Sequence, residues 1–200
     1  MIFIRKSNIL LVTFITVLLI TGCSKGNDAV ASDLAKNESV ISVSPDGKYR
    51  AEAYGAITDV TAGGLFPYEG IRILNVVDDE VIWEMNPGGY SVSFTWSPDS
   101  KFTGIYYTGR IWGKSIIVDV IEKKSISLPE MEEIASYFGD SEKPQEERSD
   151  PYFEIAGWED SETVIVDFRW TMTNGEVFSG RFTFNVIKNE VIQIESTDIG

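Results

Sequence analysis

The sequence contains no histidine, and Cys23 is its only cysteine among 200 residues. Without histidine there is no Ser/His/Asp triad or Cys/His dyad, and metal sites that need imidazole ligands are excluded too. A lone cysteine cannot form an intramolecular disulfide, so the folded domain must be stable without one. The apolar run at residues 9–20 is shorter than the roughly 20 residues that a membrane-spanning helix needs.

Basic residues are also scarce, since 17 lysines and arginines stand against 31 acidic residues, a formal net charge of -14 at pH 7. A surface of this charge repels phosphate backbones, which argues against a nucleic-acid partner. Hydrophobic residues make up 43% of the chain and aromatic residues 12%. This composition and length predict a folded protein with one ordinary domain or two very small ones.

The amino terminus has the pattern of an export signal. Arg5 and Lys6 precede the apolar run, which ends in Ile20-Thr21-Gly22-Cys23. This segment resembles the signal peptide and lipobox of a bacterial lipoprotein. The resemblance implies that residues 1–22 are removed, that Cys23 carries the lipid, palmitate among its chains, and that the chain is anchored to the outer face of a bacterial membrane. An ordinary signal followed by a chance cysteine is the alternative.

The mature chain is predicted to begin with a tether. Removing residues 1–22 takes away two basic and no acidic groups, so the formal net charge falls from -14 to -16. Residues 23–38 then comprise the lipidated cysteine and a small, polar stretch without apolar periodicity, which predicts a flexible tether. Residues 39–200 are predicted to form the folded domain.

A pattern of two segments occurs three times along residues 39–200. The first segments are Val43–Tyr49, Trp96–Phe102 and Trp158–Val164, of which two contain the turn sequence Ser-Pro-Asp. The second segments, 75–82, 119–126 and 185–192, each run from Asn or Asp to Ile with the same spacing and predict hairpins. Each unit therefore predicts four antiparallel strands, and the fold class is all-β.

The strongest stretches, Phe94–Phe102 and Ser115–Val120, resemble WD40-like, TolB-type β-propeller repeats. The resemblance implies three propeller-blade-like units, as a partial propeller or an open sandwich or barrel. Propellers typically have 4 to 8 blades, so three units leave edges that something must cover. A monomeric open structure is favoured, and two protomers completing a six-bladed ring as a homodimer is the alternative.

Candidate ligand-binding residues lie in and around the middle unit. The segment Tyr106–Gly113 contains Arg110 and Trp112 among further aromatic and glycine residues. Aligning the three units by their corners makes Tyr54, Tyr107 and Arg169 equivalent, so a radial assembly would bring them together. Such a cluster suits a sugar ring or a carboxylate. The alternative is that Tyr106 and Trp112 serve packing, with Tyr107 and Arg110 at the surface.

Two insertions interrupt the repeat. The first, Gly55–Gly70, carries Phe66 and Tyr68 and predicts either a ligand loop or a cover for the core. The second, Pro129–Pro151, begins with apolar residues at helical spacing and predicts one short helix followed by a charged, solvated loop.

No sequence motif for catalysis, a metal or a cofactor is present. The predicted function is therefore a non-catalytic binding or scaffold module of the cell envelope, whose partner is a protein or a glycan. Two alternatives remain open. A carbohydrate-active enzyme would need a pair of carboxylates facing each other in a cleft near Tyr107. A structural accessory subunit of a membrane complex would show an exposed apolar patch or an open sheet edge.

Overall fold

The computed structural model describes residues 39–197, and the predicted signal peptide, Cys23 and tether lie outside these residues. Within residues 39–197 the chain forms twelve β-strands and one short α-helix. The strands form three antiparallel meanders in which each strand pairs with the next along the chain. We call each meander a blade. The predicted all-β fold with three blade-like repeats is confirmed.

The first blade comprises β1 (Val40–Val43), β2 (Tyr49–Tyr54), β3 (Gly70–Asn75) and β4 (Val81–Met85). The second comprises β5 (Ser91–Trp96), β6 (Phe102–Thr108), β7 (Gly113–Asp119) and β8 (Lys124–Ser127). The third comprises β9 (Tyr152–Trp158), β10 (Thr163–Thr171), β11 (Val177–Asn185) and β12 (Glu190–Ser196). Helix α1 (Met131–Ala135) and one 3-10 turn (Asp140–Glu142) lie between β8 and β9.

A stacked aromatic pair at equivalent positions joins each blade to the next. The rings of Tyr49 and Trp96 stack with centroids 6.4 Å apart, and those of Phe102 and Trp158 stack at 6.0 Å. Each tryptophan ends the first strand of its blade, and each partner ring begins the second strand of the preceding blade. The indole N–H of Trp158 also donates to the carbonyl of Thr95 at 2.9 Å. Both junctions therefore repeat one contact.

Two hydrophobic cores fill the two junctions, because the middle blade is apolar on both faces. The first core joins the first and second blades, and its fully buried residues include Ala51, Ala53, Ile71, Ile73, Ile105 and Val118. The second core joins the second and third blades, and includes Phe102, Ile117, Val164, Val166, Phe168 and Trp170. The predicted alternation along β10 is confirmed, since Ile165, Asp167 and Arg169 lie on its other face.

The Ser-Pro-Asp corners are held by one network of hydrogen bonds that occurs twice. In the first blade the Ser44 hydroxyl donates to Asp46 at 2.8 Å and accepts from the amide of Tyr49 at 3.0 Å. In the second blade Ser97 makes the same two bonds, to Asp99 at 2.8 Å and from the amide of Phe102 at 3.0 Å. Because these bonds satisfy backbone groups at the bend, the corner starts the second strand in a fixed register.

Acid should weaken the first corner. Burial raises the pKa of Asp46, but hydrogen bonds from the Lys48 amide and the Ser44 hydroxyl outweigh this effect and lower the pKa from 3.8 to about 2. Because the folded-state pKa lies below the unfolded one, Asp46 stabilises the fold above about pH 4, and this contribution is lost as the pH falls towards 2.

We expect Asp46→Asn to reduce the loss of stability between pH 4 and pH 2, as measured by urea unfolding at each pH. The matched control is Asp59→Asn, an exposed aspartate in the first insertion, which should keep the wild-type pH dependence. An unchanged pH dependence in Asp46→Asn would contradict the assignment.

The closing hairpins share one turn. Asn75, Asp119 and Asn185 each accept hydrogen bonds through Oδ1 from backbone amides two or three residues later. The fourth residue after each one has a positive φ, at Asp79, Lys123 and Asn189. Asp119 is therefore a turn residue, as its alignment with two asparagines predicts.

The corner of the third blade is one residue shorter than the other two. In the second blade the amide of Ser97 donates to the carbonyl of Phe102, whereas in the third the amide of Glu159 donates to Thr163. The sheet register agrees, because Phe102 lies opposite Asp119 and Thr163 lies opposite Asn185. Thr163 is therefore the counterpart of Phe102, and the predicted alignment is wrong by one residue after this corner.

The aromatic pair that joins neighbouring blades is absent at both ends of the described stack. Val43 occupies the tryptophan position of the first blade, and Thr163 occupies the position of the partner ring in the third. Another blade placed at either end could not make the contact that holds the two internal junctions together.

The face of the first blade that points away from the second blade is polar, whereas the equivalent face of the second blade is apolar. Arg50 and Glu52 stand at the positions that Thr103 and Ile105 hold in the second blade. Glu52 accepts from Arg50 at 3.2 Å and from Arg72, and its side chain is 10% exposed. An ion-paired face of this kind resembles the polar outer surface that terminal repeats need. We call residues Arg50, Glu52, Tyr54 and Arg72 the first end face.

The second insertion closes the outer side of the second core. Ile134 and Ala135 of α1 are buried, and the Phe138 ring lies 4.9 Å from that of Phe178. The indole N–H of Trp170 donates to the carbonyl of Glu142 at 2.7 Å. The predicted short helix is confirmed, and the segment that follows it is fastened to the core by Trp170.

The first insertion also covers a core. Phe66 and Tyr68 are 5% and 6% exposed, and Tyr68 belongs to the first core. Its amide donates to the carbonyl of Gly89 at 2.9 Å, which ties the insertion to the chain before β5. Of the two interpretations of this insertion, the structure favours the cover.

Candidate functional site

A cavity of about 320 Å³ lies on the outward face of the third blade, where that blade meets Tyr106 of the second. Its polar lining consists mainly of Tyr106, Tyr152, Glu154, Asp167, Arg169, Ser179, Arg181 and Thr197. We call it the Arg169 cavity. Arg169 is the predicted ligand-binding residue that lines it.

The register of the third blade places these side chains in two neighbouring rows. In one row Arg169 lies opposite Tyr152 on β9 and opposite Ser179 on β11. In the next row Asp167 lies opposite both Glu154 and Arg181. Because side chains alternate between the faces of a strand, all of them point away from the second core.

Arg169 is held by stacking rather than by an ion pair. Its guanidinium lies 4.2 Å from the centroid of the Tyr152 ring. Along residues 39–197 no carboxylate oxygen lies within ion-pair distance of Arg169. An exposed arginine whose plane is already oriented by an aromatic ring can present its N–H groups to a ligand.

The neighbouring carboxylate, Asp167, forms an ion pair through both of its oxygens. Its two oxygens accept from Arg181 at 2.6 Å and 3.0 Å, a bidentate pair. The hydrogen bond and charge of Asp167 raise the pKa of Arg181 above its ordinary value. Asp167 lies opposite Glu154 in the sheet, but Arg181 occupies both oxygens of Asp167. This pair therefore does not resemble the acid and base of a glycosidase.

Tyr106 supplies a hydroxyl at the blade junction. Burial raises its pKa, Glu154 and Tyr152 raise it further, Arg169 lowers it, and the result is about 12. The phenol is therefore protonated at neutral pH and can donate a hydrogen bond. Gly113 makes room for it, because a Cβ there would lie 2.4 Å from the Tyr106 hydroxyl.

The predicted convergence of Tyr54, Tyr107 and Arg169 does not occur. Because the third corner is shorter, Phe168 rather than Arg169 is the counterpart of the two tyrosines. Tyr54 lies on the first end face, where the Arg72 guanidinium sits 4.5 Å from its ring centroid. Tyr107 packs beside the first core. The three side chains therefore lie in three different surroundings.

Arg110 and Trp112 lie apart from the Arg169 cavity, on the loop between β6 and β7. The rings of Trp112 and Tyr107 meet edge to face at 5.8 Å, and a Cβ at Gly109 would lie 2.3 Å from the Trp112 ring. Arg110 is exposed. Trp112 also borders a second cavity, of about 510 Å³, together with Arg148. Trp112 packs on Tyr107, and Tyr107 packs against the first core, whereas the alternative interpretation placed Tyr107 at the surface.

Sequence reasoning missed Tyr152, Glu154 and Ser179. Tyr152 and Glu154 alternate with the buried Phe153 and Ile155 along β9, so the alternation alone would have placed them on the outward face. Their position beside Arg169 depends on the pairing of β9 with β10, which the sequence pattern does not show.

Other site types are not found among the described residues. In residues 39–197 no group of three or more Cys, Asp or Glu side chains is placed to hold a metal ion. Over the same residues no helix is long and apolar enough to span a membrane.

No protein-family model matches the chain, and no curated protein matches its sequence. Several solved structures are similar. The β-propeller domain of the Trilobed protease from Pyrococcus furiosus has 14% identity and a TM-score of 0.47, over 80% of this chain and 43% of that one. TolB from Acinetobacter baumannii has 10% identity and a TM-score of 0.36, again over 80% and 43%.

The acylaminoacyl peptidase of Pyrococcus horikoshii has 12% identity and a TM-score of 0.45, over 80% of this chain and 25% of that one. The chain thus spans less than half the length of each of these structures. The blade assignment rests on the strand order, the register and the repeated contacts described above. Together they define an all-β protein of propeller-type blades.

Proposed function

We propose that the protein is a membrane-anchored, extracytoplasmic lipoprotein whose β-domain binds a small ligand without transforming it. The observation that carries the binding function is Arg169, an exposed arginine that is oriented by Tyr152, lines a cavity and has no carboxylate partner in the described residues. The anchor is the lipidated Cys23, which the signal and lipobox pattern predicts.

A non-catalytic role is supported by the chemistry of the cavity. Asp167 is held in a bidentate pair with Arg181, and Tyr106 remains protonated at neutral pH. A carboxylate whose two oxygens are occupied and a phenol with a raised pKa are poorly suited to general acid–base catalysis. The cavity does present hydrogen-bond donors and acceptors in fixed positions, which is what ligand recognition needs.

The binding function is tested by thermal unfolding of the purified domain with the low-molecular-weight fraction of a bacterial envelope extract. We expect this fraction to raise the Tm of the wild type and to leave the Tm of Arg169→Gln unchanged. The matched control is Arg110→Gln, which removes an exposed arginine outside the cavity and should respond like the wild type.

Two results would contradict this proposal. One is a Tm shift that persists in Arg169→Gln, which would place binding elsewhere. The other is consumption of a component of the fraction, detected by mass spectrometry, which would support the enzyme alternative.

The anchor is tested by Cys23→Ser in the full-length chain expressed in bacteria. We expect the wild type to be found in the membrane fraction and to incorporate labelled palmitate, and Cys23→Ser to lose the label. More than one acyl chain is needed for stable anchoring, so loss of lipidation should abolish it. The control Ser24→Ala should behave like the wild type, and a labelled Cys23→Ser protein would refute the assignment.

A further inference from the structure

Two opposite charges border the Arg169 cavity without pairing. Arg169 lies on β10 opposite Tyr152, and Glu154 lies on β9 opposite Asp167, so the two residues are diagonal neighbours. Among the described residues neither one lies within ion-pair distance of an opposite charge. Diagonal neighbours in a sheet are about 7–8 Å apart between backbones, a distance that a small ligand can bridge between the side chains.

The charged residues that line the cavity balance one another, and Glu195 lies outside this lining, opposite Arg181 on β12. Arg169 and Arg181 balance Glu154 and Asp167, and the last of these already neutralises Arg181. A simple anion at Arg169 would be repelled by Glu154, and a simple cation at Glu154 would be repelled by Arg169. A ligand that carries both charges is attracted at both ends.

The remaining surface suits a small polar molecule. The Ser179 and Thr197 hydroxyls lie 3.1 Å apart, and the protonated Tyr106 phenol also lines the cavity. The cavity of about 320 Å³ has the volume of a small-ligand site.

We propose that this cavity binds the zwitterionic group of a free α-amino acid. The carboxylate accepts from the guanidinium of Arg169, and the ammonium donates to Glu154. The amino-acid side chain then lies towards the Ser179 and Thr197 hydroxyls. This proposal rests on the binding function proposed above and names the class of ligand for the same cavity.

The test uses amide chemical-shift titrations of the lipid-free domain with L-alanine, acetate, methylammonium and methyl glucoside. We expect L-alanine to shift the amides of Glu154, Arg169 and Ser179 and to bind at least about tenfold more tightly than acetate or methylammonium. Arg169→Gln and Glu154→Gln should each weaken alanine binding by about tenfold or more. Arg110→Gln should leave it unchanged.

The other outcomes overturn the proposal. Equal binding of acetate and alanine would mean a simple anion site, and shifts with methyl glucoside alone would mean a carbohydrate site. No response to any of the four compounds would also overturn the amino-acid proposal. In that case a Tm shift with the envelope fraction that is lost in Arg169→Gln would still support the binding function. The absence of any Tm shift would overturn both the binding function and the amino-acid proposal.

Discussion

Trp170→Ala is expected to lower the free energy of unfolding by about 3–5 kcal/mol, the largest effect of any single change considered for this fold. Trp170 is 1% exposed and lies at the centre of the second core, where its ring stacks on Phe168 at 5.0 Å. The substitution empties a large volume that the rigid sheet around it cannot fill. It also removes the hydrogen bond to the carbonyl of Glu142.

Two readouts separate these contributions. Trp170→Phe keeps most of the buried ring but lacks the indole N–H, so it should lose less stability than Trp170→Ala. Because the N–H fastens residues 129–151 to the core, both variants should be cleaved faster in this segment by a protease under native conditions. Urea unfolding measures the stability, and a loss below about 1 kcal/mol in Trp170→Ala would contradict the packing described for this core.

The second large effect concerns the first end face. The triple change Arg50→Thr, Glu52→Ile and Arg72→Ile gives the first blade the residues that the second blade has at Thr103, Ile105 and Ile116. In the second blade these positions face the neighbouring blade across the first core. We therefore expect the triple variant to self-associate, because a large apolar patch becomes exposed at the end of the stack.

The matched control keeps the charges. Arg50→Lys with Arg72→Lys retains two cations beside Glu52, so this variant should have the same solution mass as the wild type. Size-exclusion chromatography with light scattering across concentration measures both variants. A triple variant that stays at the wild-type mass at all concentrations would mean that the ion-paired face does not prevent association.

Most of the strands could be predicted from the sequence, because their signals are local. The Ser-Pro-Asp corners and the Asn75, Asp119 and Asn185 turns fix where strands begin and end through hydrogen bonds within a few residues. The buried face of β10 is also readable locally, because Val164, Val166, Phe168 and Trp170 alternate with more exposed residues along one strand.

The candidate site could be predicted only in part, because it depends on distant residues. The structure places Arg169, a predicted ligand-binding residue, at a cavity, but its grouping with Tyr54 and Tyr107 relied on an ungapped alignment through a shortened corner. Tyr152 and Glu154 reach Arg169 through the pairing of β9 with β10. Packing between the second and third blades decides which strands pair. It also decides the length of the corner between β9 and β10.

The two ends of the described stack lack the contact that joins its neighbouring blades. Each internal junction uses an aromatic pair and an apolar face, whereas the ends have Val43, Thr163 and ion-paired side chains instead. A two-protomer ring would bring these ends together and would bury Glu52, Asp167 and their arginines in an interface. We therefore propose that the domain works as a monomer with solvated ends.

The most direct test of this central claim is the solution mass of the lipid-free chain beginning at residue 24, measured by light scattering or sedimentation equilibrium over a wide concentration range. A constant monomer mass at all concentrations is the predicted result. A stable mass of twice the monomer, lost on Arg50→Glu or Arg181→Glu, would contradict it. That outcome would mean that the two end faces meet in a ring of two protomers.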